Sequence, residues 1–301
     1  MSGRGTVIAV CGHESGYGEA LRDLAGPGVL VVPGGRELIR GLGRLRRSGE
    51  EACVVPMTLG RDPELVADTA RTLRALPPAA RPGTLLAEPF GTSQHLIAWL
   101  RAAAARTPGA SALLVTAPAA GPFDDAELYR VASLVHRYGG HPMVEVAFTG
   151  GTPDPAEGIR RCRLLGAGRV TLLPAAFGLP EVPRAEGARV AAAGPLLPPA
   201  ALARVLAERV SDARRRWSGR RDDGIAAGLT AADGHGHSHT HPPGEGHGHS
   251  HTHPPGEGHG HSHTHPPGHG HSHAPGEGHD HGHAPTHPHV HDAGRAIRST
   301  A

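Results

Sequence analysis

The stretch from His235 to His291 sets the first limit on what this chain can fold into. It reads HGHSHTHPPGEG twice, then HGHSHTHPPG, then shorter versions of the same unit. Pro and Gly interrupt it every few positions and apolar residues are almost absent. Such a segment cannot bury enough surface to offset the cost of ordering its backbone. Disorder is therefore expected over residues 217–301. Any packed core must come from the roughly 230 residues ahead of the repeats, enough for one large domain or two of about 100 residues each.

The tail does carry chemistry. The chain has 25 His, and only His13, His95, His136 and His141 precede the repeats. Neutral imidazole is the commonest side-chain ligand for transition metals. The first repeats offer His235, His237, His239, His241, His247, His249, His251, His253, His259, His261, His263 and His265. In extended backbone, alternate residues on one side sit about 7 Å apart. Metal sharing then requires the chain to fold back, and mixed, exchangeable sites are expected. Their affinities should follow the Irving–Williams order, with little selectivity for cobalt over nickel or zinc. Binding should fade below the imidazole pKa of about 6.5.

Composition narrows the rest. Net charge is +2 with His neutral, which gives no case for nucleic-acid binding. Cys11, Cys53 and Cys162 are scattered, with no CxxC, and suggest a reducing cytoplasm. Met1–Val10 lacks the length and cleavage pattern of a signal peptide, and no apolar run approaches a membrane span.

Strand and helix patterns alternate along the core. Strands are expected at Thr6–Cys11, Val29–Val32, Ala52–Met57 and Thr84–Ala87, with helices over Gly18–Ala25, Glu37–Ser48, Glu64–Leu76 and Ser93–Arg106. The pattern then restarts. Strands are expected at Ser111–Thr116, Met143–Thr149 and Arg169–Pro174, with helices over Asp124–Tyr138, Ala156–Leu165 and Ala200–Arg216. RLRRSGEEACVVPMTLG and RCRLLGAGRVTLLPAAFG share the order helix, Gly, strand, Pro and a Gly four residues on. The expectation is an α/β chain of two similar halves, residues 1–108 and 109–216, each a mostly parallel sheet flanked by helices.

Ligands of open parallel sheets bind at the carboxyl ends of the strands. Gly12-His13 stands there, in a polar loop with Glu14, Ser15 and Gly16. His95 opens a helix beyond the fourth strand, on the same edge. The two could share a metal, or one could bind it while the other accepts a proton. His136 and His141 read as surface residues. Arg36, Arg61 and Arg184 lie near strand ends, where guanidinium groups could pair with an acidic ligand. Walker, GxSxG and dinucleotide-binding motifs are absent.

Together these features resemble the sirohydrochlorin cobaltochelatases of cobalamin biosynthesis, small class II tetrapyrrole chelatases. The resemblance spans nearly all of residues 5–212. It is clearest over VEVAFTGGTPDPAEGIRRCRLLGAGRVTLLPAAFG (Val144–Gly178) and in the opening AVCGHESGYGEAL, which is similar to the family's GHGSR. The resemblance implies a cytoplasmic lyase that inserts a divalent metal, cobalt first and nickel or iron next, into sirohydrochlorin. No organic cofactor, nucleic acid or membrane is implied, and homo-oligomerisation is left open. His13 would be the catalytic, metal-binding residue, Ser15 and Arg61 would meet substrate, and the tail would store metal. There are departures. Glu14 replaces the usual Gly and Gly16 the usual Arg. Leu59-Gly60-Arg61-Asp62 stands where a second His is common. Thr116-Ala117-Pro118-Ala119 replaces the second half's motif. The other reading is a non-catalytic cobalt or nickel storage or delivery protein on a degenerate chelatase scaffold.

Overall fold

A computed structural model of the chain describes residues 5–22, 26, 28–183 and 189–233. It holds two four-stranded, all-parallel sheets. The first contains β1 (Thr6–Cys11), β2 (Val29–Pro33), β3 (Ala52–Met57) and β4 (Thr84–Leu86), in the order β2-β1-β3-β4. The second contains β5 (Ala112–Pro118), β6 (Val144–Thr149), β7 (Arg169–Pro174) and β8 (Arg189–Ala192), in the order β6-β5-β7-β8. The same order in both halves matches the expected repeat. The central strands are continuous apolar runs because they are covered on both faces; all six residues of β3 are buried.

Seven helices occur among the described residues: α1 (Arg36–Arg47), α2 (Pro63–Arg74), α3 (Ser93–Ala104), α4 (Pro122–Arg137), α5 (Pro155–Leu164), α6 (Pro199–Arg220) and α7 (Ile225–Leu229). Local chemistry sets several starts. The side chains of Asp62, Thr92 and Asp154 accept N–H groups of the first turns of α2, α3 and α5. Pro63 and Pro155 then occupy first helical positions, where the missing N–H costs nothing.

The halves are not separable at residue 108. The helix after β4, α3, packs on α4 and on β7 of the second sheet. The helix after β8, α6, packs on β3 and β4 of the first. Each half thus lends its last long helix to the other, and one apolar core joins them through Val55, Leu96, Leu100, Val115, Leu128 and Leu206. The folded part also runs beyond residue 216, where the tail is expected to begin. The α6 helix reaches Arg220, and α7 seats Ile225 in the core beneath the first sheet.

Between β1 and β2 no α-helix forms among the described residues of the expected helix, Gly18–Arg22. Single 3-10 turns at His13–Ser15 and Glu19–Leu21 take its place. Gly16, Tyr17 and Gly18 all have positive φ, which breaks any helical run. In the second half the equivalent connection is the 16-residue α4. An apolar groove of about 860 Å³ lies between α6 and the amino-terminal ends of β1 and β2. No helix is long and apolar enough to cross a membrane among the described residues.

Candidate functional site

In a sheet of order β2-β1-β3-β4 the chain leaves β1 toward one side and β3 toward the other. The crevice outside their carboxyl ends is the place such folds use for ligands. His13 follows β1, and Arg61 and Asp62 follow β3, so both flank this crevice. The larger groove under α6 opens at the other end of the strands, away from these groups.

Asp62 Oδ2 accepts from His13 Nδ1 at 3.0 Å. A carboxylate only accepts, so Nδ1 carries the proton and the lone pair of a neutral ring sits on Nε2. That Nε2 has no partner and is covered. Gly12 makes the pair feasible, because a Cβ there would run into the Asp62 carboxylate. Gly60, at φ 112°, lets the β3–α2 loop turn against Thr92 and Ser93 at the start of α3, where any Cβ would collide with backbone. Burial draws the pKa of His13 down. The hydrogen bond and charge of Asp62, with the charge of Glu14, outweigh that, and the net shift is upward from 6.5.

Glu14 is fully buried. Its Oε2 accepts from the Thr58 hydroxyl and from the Leu59 N–H at 2.9 Å, while Oε1 has no partner. Burial pushes its pKa up, against the pull of Thr58, Arg61 and His13. Asp124, in the first turn of α4, completes the acidic surroundings. Burial raises its pKa, and the charge of His13 opposes that rise.

Arg61, expected to meet substrate, is buried. Its side chain is 0 % exposed, with Nε donating to the Asp124 carbonyl at 3.3 Å and a terminal nitrogen 3.2 Å from Asp125 Oδ1. Asp125 also accepts the Ala120 N–H at 3.1 Å. Arg61 therefore fastens the β3 loop to the second half, and its other terminal nitrogen is buried without a partner. Ser15 is likewise committed to its own loop, its hydroxyl donating to the Gly12 carbonyl at 3.0 Å and accepting the Gly18 N–H at 3.1 Å.

His95 is not brought to His13. Its Nδ1 meets Thr92 Oγ1 at 2.8 Å, its Nε2 lies 3.4 Å from the Arg209 guanidinium of α6, and its ring stacks on Trp99. Burial and the Arg209 charge lower its pKa. Among the described residues no group of three His, Cys, Asp or Glu side chains is placed to enclose a metal ion. His141, expected on the surface, is buried, with its ring nitrogens 3.0 Å from the Ser111 and Ala104 carbonyl oxygens. Arg36 is exposed at the start of α1. Arg184 and the tail histidines His235–His291 lie outside the described residues.

Strand register aligns the two halves. Pro56 of β3 pairs with Val10, and Pro174 of β7 with Thr116. Counting on from those pairs, Ala119 takes the place of His13 and Pro180 that of Asp62. Among the described residues the imidazole–carboxylate pair exists once. Asp62 and Glu14, the residues that define the site with His13, were not singled out as site residues by sequence reasoning. The one signal Asp62 gives there is Asp-Pro at a helix start, which announces a cap. Compared with known proteins, the chain matches no family model and no curated relative.

Proposed function

We propose that the chain is a tetrapyrrole chelatase that inserts a divalent metal, cobalt first, into a sirohydrochlorin-type macrocycle, with metal supplied by the His-rich tail. The observation that carries this reading is the His13–Asp62 pair at 3.0 Å, with Nε2 of the ring left without a partner. Asp62 fixes the tautomer, so neutral His13 offers the Nε2 lone pair to the incoming ion and replaces one of its waters. The two pyrrole protons that the metal displaces leave toward a site rich in carboxyl groups, with Glu14 and Asp124 at hand. Beside it, the exposed rings of Tyr17 and Phe123 offer flat apolar surface to a macrocycle. The tail holds metal close by and raises its local concentration. Nε2 is covered, so an ion reaches it only when the surrounding loops part.

The test is metal insertion by the purified chain, followed by the absorbance of sirohydrochlorin with cobalt, nickel or iron. Activity lost in His13→Ala, with tail removal slowing only metal-limited reactions, supports the reading. No insertion with any of the three metals overturns it.

A second reading, a storage or delivery protein for cobalt or nickel, is favoured by the commitment of Arg61 and Ser15 to structural bonds. It predicts many metals bound per chain and no effect of His13→Ala on their number.

A further inference from the structure

The first sheet has a second opening, at the amino-terminal ends of its strands and so at the far end from His13. It is the groove of about 860 Å³ beside α6, within the size range of pockets for small organic ligands. In the second half the corresponding sheet face is covered by α4, which packs on β6 and brings Leu128 and Val131 into the shared core. Counting back from the Val10–Pro56 and Thr116–Pro174 pairs, Val7 corresponds to Leu113, and on the neighbouring strands Val31 corresponds to Val146. Leu113 and Val146 are buried, whereas Val7 and Val31 are only half-buried. Among the described residues, the first sheet thus keeps open an apolar strip that its counterpart covers.

The groove is graded along α6. Leu206, Ala207 and Val210 line its apolar stretch, together with Val7 and Val29 of the sheet. Over the next turns of the helix the lining changes to Ser211, Arg214, Arg215 and Ser218. Arg215 is held by Asp212 and Ser211. Arg214 donates to the Gly5 carbonyl at 3.0 Å and has no carboxylate partner among the described residues. A guanidinium in that position selects an anionic group, and its planar fork matches a carboxylate. The apolar stretch selects a carbon chain. Side by side along one helix, the two specify an amphiphile charged at one end.

We propose that this groove binds a medium-chain alkanoic acid as its carboxylate. The carboxylate pairs with Arg214, and the alkyl chain lies between α6 and the Val7 and Val29 side chains. The site goes beyond metal insertion and does not depend on it.

The test is calorimetric titration of the full-length, metal-free chain with octanoate at about pH 8.5, where tail imidazoles of ordinary pKa near 6.5 carry no charge to attract it. Octanoate binds, and acetate, which lacks the chain, does not. A methylene laid fully against an apolar wall is worth up to about 4-fold, so hexanoate, two methylenes shorter, binds at least about 4-fold more weakly. 1-Octanol, which lacks the charge, binds at least about 3-fold more weakly, as expected for a partly screened ion pair. Arg214→Met weakens octanoate to the level of 1-octanol and leaves 1-octanol unchanged. Ala207→Phe fills the groove and abolishes binding of both. Both positions are exposed on α6, so these variants fold as the native chain does. No binding of octanoate, equal binding of octanoate and 1-octanol, no dependence on chain length, or octanoate binding unchanged in either variant overturns the proposal. So does octanoate binding that appears only after residues 1–4 are removed, because the start of the chain then occupies the groove. Sedimentation that finds the native chain dimeric and Ala207→Phe monomeric also overturns it, because a second copy then closes the groove. Neither metal nor macrocycle enters these measurements, so their failure leaves the chelatase reading to be judged by its own assay.

Discussion

Asp62 accepts from Nδ1 of His13 at 3.0 Å, across the gap between the β1 and β3 loops. This contact turns the absence of a second His after β3 into a different arrangement. A carboxylate stands there and orients the one imidazole from behind. A metal-binding His with a carboxylate on its other nitrogen is more basic and held in one tautomer, and loss of such a partner typically costs about 10- to 100-fold in affinity or activity.

Asp62→Asn should therefore shift the pH dependence of metal insertion. In the native chain the His13 pKa lies above 6.5. Neutral imidazole, the form that takes metal, accumulates only as pH rises through that raised value. Removing the Asp62 charge leaves burial as the largest influence, so the pKa falls and the rising limb of the profile moves to lower pH, with a reduced plateau. For stability the sign is opposite. A raised folded pKa contributes stability that is fully present below the unfolded value of about 6.5 and is lost as pH rises through the folded value. Unfolding of the native chain and of Asp62→Asn, compared from pH 5.5 to 8.5, should show the gap between them narrowing as pH increases.

Gly12→Ala should act as a disguised Asp62 mutation. The added methyl meets the Asp62 carboxylate and drives it off His13. A loss of about 1–3 kcal/mol is expected for forcing a group into a packed site. Metal insertion should fall to the level of Asp62→Asn. Urea unfolding and the absorbance assay check both parts, and an unaltered rate would show that the pair is not needed.

The strands were legible because buried parallel strands are written as continuous β-branched runs, as in Thr6–Cys11 and Ala52–Met57. The last strand, Arg189–Ala192, escaped because it is a mostly exposed edge of four residues with little apolar signal. The exchange of α3 and α6 between halves escaped for another reason, since an amphipathic helix does not record which sheet it covers. The site was half legible. Gly-His after β1 marks a polar loop at the carboxyl end of the strand, but the partnership of His13 with Asp62 exists only once β1 and β3 lie side by side. The tie of Arg61 to Asp125 was hidden for the same reason. Nothing local distinguishes an Arg that meets a ligand from one that locks two halves together.

Arg61→Met should unsettle the junction of the halves without touching metal binding. The guanidinium is fully buried and its partner Asp125 is 25 % exposed, so loss of the pair strands a partly solvated carboxylate and the Asp124 carbonyl. About 3 kcal/mol is expected, the low end for breaking a buried ion pair. Arg61→Lys should recover little, because one ammonium cannot span both acceptors. Denaturant midpoints measure the stability, and cobalt stoichiometry by calorimetry should stay at the native value. A stable Arg61→Met with weakened substrate binding would return Arg61 to the role the resemblance gives it.

Ending the chain after Asp233 should separate the two ways in which it handles metal. The truncation removes 21 of the 25 His and none of the helices or strands described. The metal-free unfolding midpoint should be unchanged, while the number of nickel or cobalt ions bound per chain drops to about one or none, since imidazole supplies the tail's affinity. In the full chain that excess binding should vanish between pH 7 and about pH 5.5, as imidazoles of ordinary pKa near 6.5 take up protons in place of metal. With metal in large excess the truncated chain should insert it as fast as the full one, and fall behind only when metal is scarce. Equal rates under scarcity would reduce the tail to a sink that gives nothing back to His13.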